Sequence, residues 1–219
     1  MDRTKNMQSL LTEIKNLQNN KELQETITKQ LEEFSAFKNK PKEAWFSELC
    51  FCILAANAKS RTSWNIQQEL QYEGFVTKSQ EELAEVILRN KHRFHNNKAK
   101  YIAHARQYRD IKSITINLIK EVGEKGAREW LSRNIEGFGM KEASHFLRNT
   151  GAKTLAIVDR HVLNILLEHQ LVKEKPHTLT RAYYLMIEET FEQIGKEIQM
   201  TQAELDMYLW YMKTGEVLK

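Results

Sequence analysis

Two closely spaced glycines precede a lysine in the segment NIEGFGMKEASHFLRN, residues 134–149. Gly137 and Gly139 allow positive φ and let the backbone approach a partner closely. The amides that open a following helix point outward with the positive end of its dipole. Such a hairpin is suited to gripping a phosphate without reading the base, although a plain turn between two helices is the alternative.

An aspartate eighteen residues after Lys141 is the second candidate for chemistry. Asp159 follows a short β-branched run in LAIVDRHVLNILLEHQ, where the N-cap of the next helix is expected. Capping alone would give it a purely structural role. Around the glycines, the pattern predicts one helix ending near Asn134 and a second from about Met140 to Asn149.

The two segments together resemble the helix-hairpin-helix DNA glycosylase superfamily. The pattern of that superfamily, roughly L-P-G-V-G-x-K followed by V-D-x-H, is similar to I-E-G-F-G-M-K and V-D-R-H here. In two departures, Glu136 stands where many members have proline, and Arg160 precedes the histidine. The resemblance implies an all-α helix-hairpin-helix fold and a DNA substrate. It also implies Lys141 as the nucleophile and Asp159 as the carboxylate that assists it.

The chemistry of these residue types fits the implied roles. An amine that attacks the sugar C1′ expels the damaged base and leaves a Schiff base, from which β-elimination cleaves the strand. A helix N-terminus and partial burial both favour the neutral, nucleophilic form of Lys141. Asp159 is expected to stabilise the oxocarbenium-like sugar or to shuttle the proton. No cofactor and no metal ion are expected.

Further segments are similar to the archaeal-type, second class of bifunctional 8-oxoguanine DNA glycosylases. They are FCILAAN, HRFHNNKAKYI, GFGMKEASHFLRN, AIVDRH and LDMYLWYMKTGEVLK. The four C-terminal cysteines of the iron–sulfur members are missing here, where Cys50 and Cys52 are the only cysteines. The implied reaction is excision of 8-oxoguanine from double-stranded DNA and strand cleavage at the abasic site. The alternatives are a glycosylase for another damaged base and a non-catalytic DNA-binding module.

The resemblance also implies contacts to a nucleotide flipped out of the duplex. Trp210 lies off the apolar stripe of the last helix. It is either a packing residue or an aromatic surface on which the base stacks. The main-chain carboxylate of Lys219 is expected to help distinguish 8-oxoguanine from guanine. Asn57 matches the position that fills the gap left by the nucleotide, or is only a C-cap. The expected base contacts are Trp210, Lys219, Phe94 and Phe191, and the expected DNA contacts are Asn57, Gly137, Phe138, Gly139, Arg160 and His161.

Composition indicates the kind of scaffold that must hold these residues. Among 219 residues, of which 41% are hydrophobic, there are only 8 glycines and 2 prolines, too few for the turns of an all-β fold. No stretch approaches the roughly 20 apolar residues that span a bilayer, and no signal peptide opens the chain. We therefore expect a soluble, cytoplasmic, monomeric all-α protein with no membrane partner. Cys50 and Cys52 are expected to be buried, reduced thiols.

Apolar periodicity predicts the main helices. The segment TQAELDMYLWYMKTGEVLK should form a helix that ends near Gly215. The segment TRAYYLMIEETFEQIGKEI should form a helix with one apolar stripe, made of Tyr184, Ile187, Phe191, Ile194 and Ile198. KEAWFSELCFCILAAN is apolar nearly all round and should form a central buried helix. Ser79 with Glu82, and Thr201 with Glu204, predict capping boxes at the start of two others. We expect a central bundle over residues 40–154 and a second subdomain from residues 1–39 and 155–219, with DNA in the cleft between them.

A basic run lies between Arg89 and Lys112, where eight Lys or Arg residues face one acid. With Phe94 among them, these cations suit a phosphate backbone, whereas a solvated helix face is the alternative. His92 and His95 are three residues apart but have no acidic or thiol partner close by, so they do not predict a metal site.

Overall fold

Eleven α-helices and one 3-10 helix make up residues 3–217, the part of the chain that the computed structural model describes, and this part contains no β-strand. The predicted all-α fold class is confirmed. Backbone breaks bend α4 at Gln71 (φ 50°) and α7 at Gly123 (φ 72°). The helices are α1 (Arg3–Gln18), α2 (Lys21–Phe37), α3 (Lys42–Ala55), α4 (Ser60–Thr77), α5 (Gln80–Arg89), α6 (His95–Ala105), the 3-10 helix (Arg106–Tyr108), α7 (Ile111–Asn134), α8 (Met140–Asn149), α9 (Arg160–Glu168), α10 (Arg181–Ile198) and α11 (Gln202–Thr214).

The chain divides into two compact units. The central unit is Ala36–Thr150, and the outer unit combines the chain up to Ser35 with the chain from Gly151 onward. The expected subdomain limits at residues 40 and 154 stay a prediction. No helix in the described range is long and apolar enough to cross a bilayer.

Helix α3 is the core of the central unit. It is buried on nearly every side, as its apolar sequence predicts, and α4, α6, α7 and α8 pack around it. Trp45, Phe46 and Leu49 are almost fully enclosed. Cys50 and Cys52 are buried free thiols, as expected, and burial raises the pKa of Cys50. The unit is therefore organised around one helix that has little access to water.

A buried carboxylate on α3 joins three helices of the central unit. Asn149 Nδ2 on α8 donates a 2.6 Å hydrogen bond to Glu48 Oε1. Gln67 Nε2 on α4 lies 3.4 Å from Glu48 Oε2. Buried polar groups stabilise a fold only when they are hydrogen-bonded, so this network sets how α8 and α4 pack on α3.

The outer unit is built on apolar stripes of α10 and α11. The predicted stripe of α10 is buried throughout. Leu205, Tyr208 and Leu209 of α11 are also buried, whereas Met212 is only partly covered. Helix α11 ends at Gly215 in the left-handed conformation (φ 69°), as predicted. The α10 stripe consists of Tyr184, Ile187, Phe191, Ile194 and Ile198.

The predicted capping boxes are confirmed to different extents. Ser79 and Glu82 form the full reciprocal pair at the start of α5. At the start of α11, the Thr201 hydroxyl accepts from the Glu204 amide at 3.2 Å, which is the first of the two bonds. Local capping sequences therefore mark where these helices begin.

We expect Asn149→Ala to destabilise the protein by about 2–3 kcal/mol, because the change removes a hydrogen-bond donor from a buried carboxylate. Urea unfolding followed by circular dichroism measures the loss. Asn97→Ala, at an exposed position of α6, is the matched control and should change stability by less than about 0.5 kcal/mol. Similar losses in both variants would contradict a structural role for the Glu48 network.

Candidate functional site

The hairpin between α7 and α8 contains one glycine that no other residue can replace without strain. Helix α7 ends at Asn134 and α8 begins at Met140, as predicted, and the Phe138 amide donates to Ile135 O at 3.1 Å. Gly137 has φ 80°, and a Cβ at this position would lie 2.3 Å from the ring of Tyr101. Both the backbone conformation and the close approach of Tyr101 therefore require glycine.

Gly139 does not adopt the positive φ that a glycine allows. Its φ of −96° and ψ of −174° are extended values that any residue adopts. Gly139 is instead the N-cap of α8, and its amide donates to Glu142 Oε2 at 3.2 Å. Glu142 therefore closes the start of α8 in the manner of a capping-box acid.

Lys141 lies on the first turn of α8 with 24% of its side chain exposed. Its Nζ is 3.7 Å from Glu142 Oε1, so the acid that caps the helix also neighbours the amine. A second amine, Lys98 on α6, is buried. Burial lowers the pKa of Lys98 to about 8, Glu142 opposes this shift, and Lys141 adds to it. Two lysines and one carboxylate thus interact at the start of α8.

Glu136, which replaces a common proline in the hairpin, is paired with two cations. Lys100 Nζ lies 2.9 Å from its carboxylate, and His104 Nδ1 contacts the other carboxylate oxygen. The hydrogen bonds from Lys100 and then His104 lower the pKa of the exposed Glu136 carboxyl. Two basic side chains of α6 therefore pair with the carboxylate that stands here in place of the proline.

Asp159 is the N-cap of α9, as predicted, and is partly buried. The amides of His161 and Val162 both donate to its Oδ1, at 2.8 and 2.9 Å. Oδ2 takes no part in this cap. The carboxylate is therefore held in one orientation by backbone donors.

The extended segment before Asp159 is held by polar side chains of α10. Tyr184 donates through its hydroxyl to Ala156 O at 2.7 Å and accepts from the Val158 amide at 3.3 Å. The Ala156 amide donates to Glu188 Oε1 at 3.2 Å. The apolar periodicity of α10 did not reveal this role of Tyr184, although a hydroxyl in a buried stripe implies a polar partner.

Trp210 and His161 contact each other in the outer unit. Their ring centroids are 5.0 Å apart in an edge-to-face arrangement. The indole N–H of the partly exposed Trp210 is buried and has no hydrogen-bond partner among the described residues. Arg160 is exposed and its Nε donates to His161 Nε2 at 3.4 Å. Lys219, expected to contact the base, lies outside the described residues.

Two aromatic residues expected to contact nucleic acid are buried. Phe191 is fully enclosed in the α10 stripe, which corrects the expectation of a base contact: it is a core residue because its helix turns this face inward. Phe138 is 5% exposed and packs edge-on against Phe146, with centroids 6.3 Å apart. Phe138 therefore anchors the hairpin through its side chain and leaves only its backbone for a phosphate.

Asn57 and Phe94 are exposed in the central unit. Asn57 follows the end of α3 in the left-handed conformation (φ 60°), the geometry of a residue that ends a helix. Phe94 is the N-cap of α6 and is 41% exposed. Both side chains are accessible to a large ligand.

Most cations of the basic run are exposed, as a solvated face would have them, but several are paired within the protein. Arg106 donates to Phe75 O at 2.9 Å and also to Lys78 O, at the end of α4. Arg89 forms an ion pair with Glu69. Several of these cations thus satisfy carbonyls or acids of the protein itself, a role that the sequence analysis did not consider.

The structure divides the expected site residues between the two units. The central unit contains Lys141, the hairpin, Asn57 and Phe94. The outer unit contains the other expected site residues that the structure describes. Within residues 3–217, no group of three or more His, Cys, Asp or Glu side chains is placed to hold a metal ion. The outer-unit residues are Asp159, Arg160, His161, Phe191 and Trp210.

Comparison with known sequences identifies one family. A family model described as 8-oxoguanine DNA glycosylase matches residues 27–200. A Methanocaldococcus jannaschii protein named 8-oxoguanine DNA glycosylase/AP lyase is 47% identical over 210 residues, which are 96% of this chain and 99% of that protein. A protein of the same name from Korarchaeum cryptofilum is 40% identical over 197 residues, 90% of this chain and 92% of that protein.

Comparison with solved structures gives the same result. A crystal structure of the M. jannaschii 8-oxoguanine glycosylase/lyase in complex with 15mer DNA containing 8-oxoguanine matches with a TM-score of 0.91 and 45% identity. The match covers 96% of this chain and 100% of that one. The 8-oxoguanine DNA glycosylase of Thermotoga maritima matches with a TM-score of 0.88 and 36% identity, over 97% of this chain and 100% of that one.

The two hairpin glycines should differ sharply in their tolerance of a methyl group. We expect Gly137→Ala to destabilise the protein by on the order of 2–4 kcal/mol, from left-handed strain and displacement of Tyr101. Gly139→Ala is the matched control and should cost less than about 1 kcal/mol, because its Cβ meets only the flexible Glu142 carboxylate at 3.2 Å. Urea unfolding of both variants tests this order, and equal losses would contradict it.

Proposed function

Since the chain belongs to the 8-oxoguanine DNA glycosylase family, we propose that it excises 8-oxoguanine from double-stranded DNA and then cleaves the strand at the abasic site. The observation that carries the proposal is the partly exposed Lys141 on the first turn of α8, directly after the hairpin. The names of the relatives and the DNA complex of the M. jannaschii protein support the substrate and both activities.

The hairpin is proposed to bind the DNA backbone. The first amides of a helix have no intrahelical partner and point along the positive end of the helix dipole, toward an anion. Contacts of this kind are made to phosphate and therefore carry no sequence information. The Phe138 side chain is turned into the core, and the amides of Phe138 and Gly139 already donate to Ile135 O and Glu142 Oε2, so the first amides of α8 are the donors proposed for the phosphate.

The target nucleotide must leave the duplex, because its sugar carbon and base edge are unreachable inside the stack. We assign the gap that it leaves to Asn57, which is exposed beyond the end of α3. Phe94 and the partly exposed Trp210 offer aromatic surface for the base. The main-chain carboxylate of Lys219 is proposed to accept the N7 hydrogen that distinguishes 8-oxoguanine from guanine, worth about 1–3 kcal/mol.

Lys141 is proposed as the nucleophile of both steps. As a neutral amine it forms a bond to C1′, and the glycosidic bond breaks with its electron pair leaving on the base. Opening of the sugar ring gives a Schiff base. Loss of a proton from C2′ then expels the phosphate at C3′, which cleaves the strand, and water hydrolyses the imine and releases Lys141.

Asp159 is proposed to assist this chemistry through its charge. Its Oδ1 is held by two backbone amides, so Oδ2 is the oxygen that remains to stabilise the cationic sugar or to accept a proton. Tyr184 and Glu188 support this role because they hold the segment that leads into Asp159.

Borohydride trapping on abasic-site DNA tests the function directly. We expect the wild-type protein to form a covalent adduct, because borohydride reduces the Schiff base, and Lys141→Gln to form none. Lys120→Gln, an exposed lysine on α7, is the matched control and should trap normally.

The possible results separate the alternatives. Wild-type protein that binds DNA but forms no adduct would be a non-catalytic binding module. An adduct on abasic DNA without release of 8-oxoguanine would indicate a different damaged base, which a panel of lesion-bearing oligonucleotides would identify.

For Asp159→Asn, we expect base release to slow by roughly 10²-fold or more, while DNA affinity and the fold persist. Asparagine keeps the N-cap of α9 but lacks the negative charge. Single-turnover excision on an 8-oxoguanine duplex measures the effect, with Asp110→Asn as an exposed control. A rate near that of the wild type would remove Asp159 from the mechanism.

A further inference from the structure

The carbonyl groups at the end of α3 are satisfied by basic side chains from a different part of the chain. The last four carbonyls of a helix have no intrahelical partner, and α3 ends in the core, away from water. Lys98 Nζ donates to Ile53 O at 2.6 Å, and His92 Nε2 lies 2.9 Å from Leu54 O. Both side chains are buried. The segment from α5 to α6 is thus fastened to α3.

His92 carries this connection on to Phe94. Its Nδ1 accepts a hydrogen bond from the Phe94 amide at 3.2 Å, and the two rings meet edge to face with centroids 6.4 Å apart. A carbonyl can only accept and an amide can only donate, so His92 is neutral with its proton on Nε2. Both ring nitrogens are therefore occupied by hydrogen bonds within the protein.

Arg93 contacts both of the exposed residues in this region. Its Nη2 donates to Asn57 O at 3.4 Å, and its guanidinium carbon lies 5.3 Å from the centre of the Phe94 ring. Cations over aromatic faces are favourable, more so when partly desolvated. Asn57 and Phe94 lie far apart in sequence but are linked here through one side chain.

We propose that His92, Arg93 and Lys98, here called the α3 clamp, are positioning residues that fix Asn57 and Phe94 for the damaged nucleotide. This rests on the proposed function, which assigns Asn57 to the vacated gap and Phe94 to the base. Asn57 follows the end of α3, and Phe94 lies at the N-cap of α6, where its carbonyl accepts from the Lys98 amide at 2.9 Å. Neither side chain is fixed by packing inside a helix. The α3 clamp instead connects both residues to the buried C-terminal end of α3.

Burial and the charges around His92 favour its neutral form, which is the form that makes both hydrogen bonds of the α3 clamp. Burial lowers the pKa of His92, the bond to Leu54 opposes this shift, and the electrostatic influence of Lys98, Arg93 and His95 lowers the pKa further. His92 therefore stays neutral until the pH falls below the ordinary histidine range. Protonation would turn Nδ1 into a donor facing the Phe94 amide and would break that bond.

Hydrogen exchange at the Phe94 amide tests the clamp without depending on any activity. His92→Phe keeps a ring but removes both hydrogen bonds, and we expect exchange at this amide to accelerate at least about tenfold. Arg106→Met is the control, because Arg106 satisfies carbonyls at the end of α4 in the same way. Unchanged exchange in His92→Phe, or equal acceleration in both variants, would overturn the proposal.

Two activities of each variant then test whether the clamp positions the base-contacting residues. We expect His92→Phe to slow 8-oxoguanine excision on the order of tenfold while cleavage of a preformed abasic site, which needs no base contact, changes less than about twofold. Arg106→Met should preserve the ratio of the two activities. In the double variant with Phe94→Ala, the two losses should not multiply. Equal loss of both activities, or fully multiplicative losses, would mean that His92 is only structural.

A pH series separates a failure of the clamp from a failure of the proposed function. As the pH falls, the ratio of excision to abasic-site cleavage should drop in the wild type but stay level in His92→Gln, which can donate and accept without titrating. A parallel drop in both would overturn the proposal. If the wild type lacks excision altogether, the proposed function is wrong, and hydrogen exchange at Phe94 still decides whether the clamp exists.

Discussion

Burial of α3 on nearly every side is the constraint from which the arrangement of the central unit follows. A helix with so little access to water must satisfy its polar groups within the protein. Its single internal carboxylate, Glu48, does so by binding α8, the helix that carries Lys141. Its last carbonyls do so by binding His92 and Lys98. Two parts of the expected site are thus located by the needs of one buried helix.

Features set by neighbouring residues were predictable from the sequence. The limits of α8, the cap at Asp159 and the end of α11 at Gly215 depend on contacts within a few positions, which spacing and residue type reveal. Contacts across long separations were not predictable: Lys98 binds a carbonyl 45 positions away. The error at Phe191 has a related cause, because the burial of a side chain depends on surrounding elements that a local pattern does not contain.

The two residues of the expected chemistry are supported by separate scaffolds. Lys141 depends on α8, its capping acid Glu142 and the packing of α8 on α3. Asp159 depends on the amides of α9 and on Tyr184 of α10. Each side chain is oriented within its own unit, so a substitution that loosens one scaffold leaves the orientation of the other group intact.

The pairing of Glu136 with Lys100 and His104 has a consequence for the search along undamaged DNA. An unpaired carboxylate in the hairpin would repel phosphate, whereas a proline there would leave both cations of α6 uncommitted. With the charges offset, the proposed binding of the DNA backbone rests on the neutral amides that open α8 and displaces few counterions. The contribution of the hairpin to the affinity for undamaged duplex is then modest and nearly independent of ionic strength. A weak contact of this kind favours rapid dissociation and scanning over long residence at intact sites.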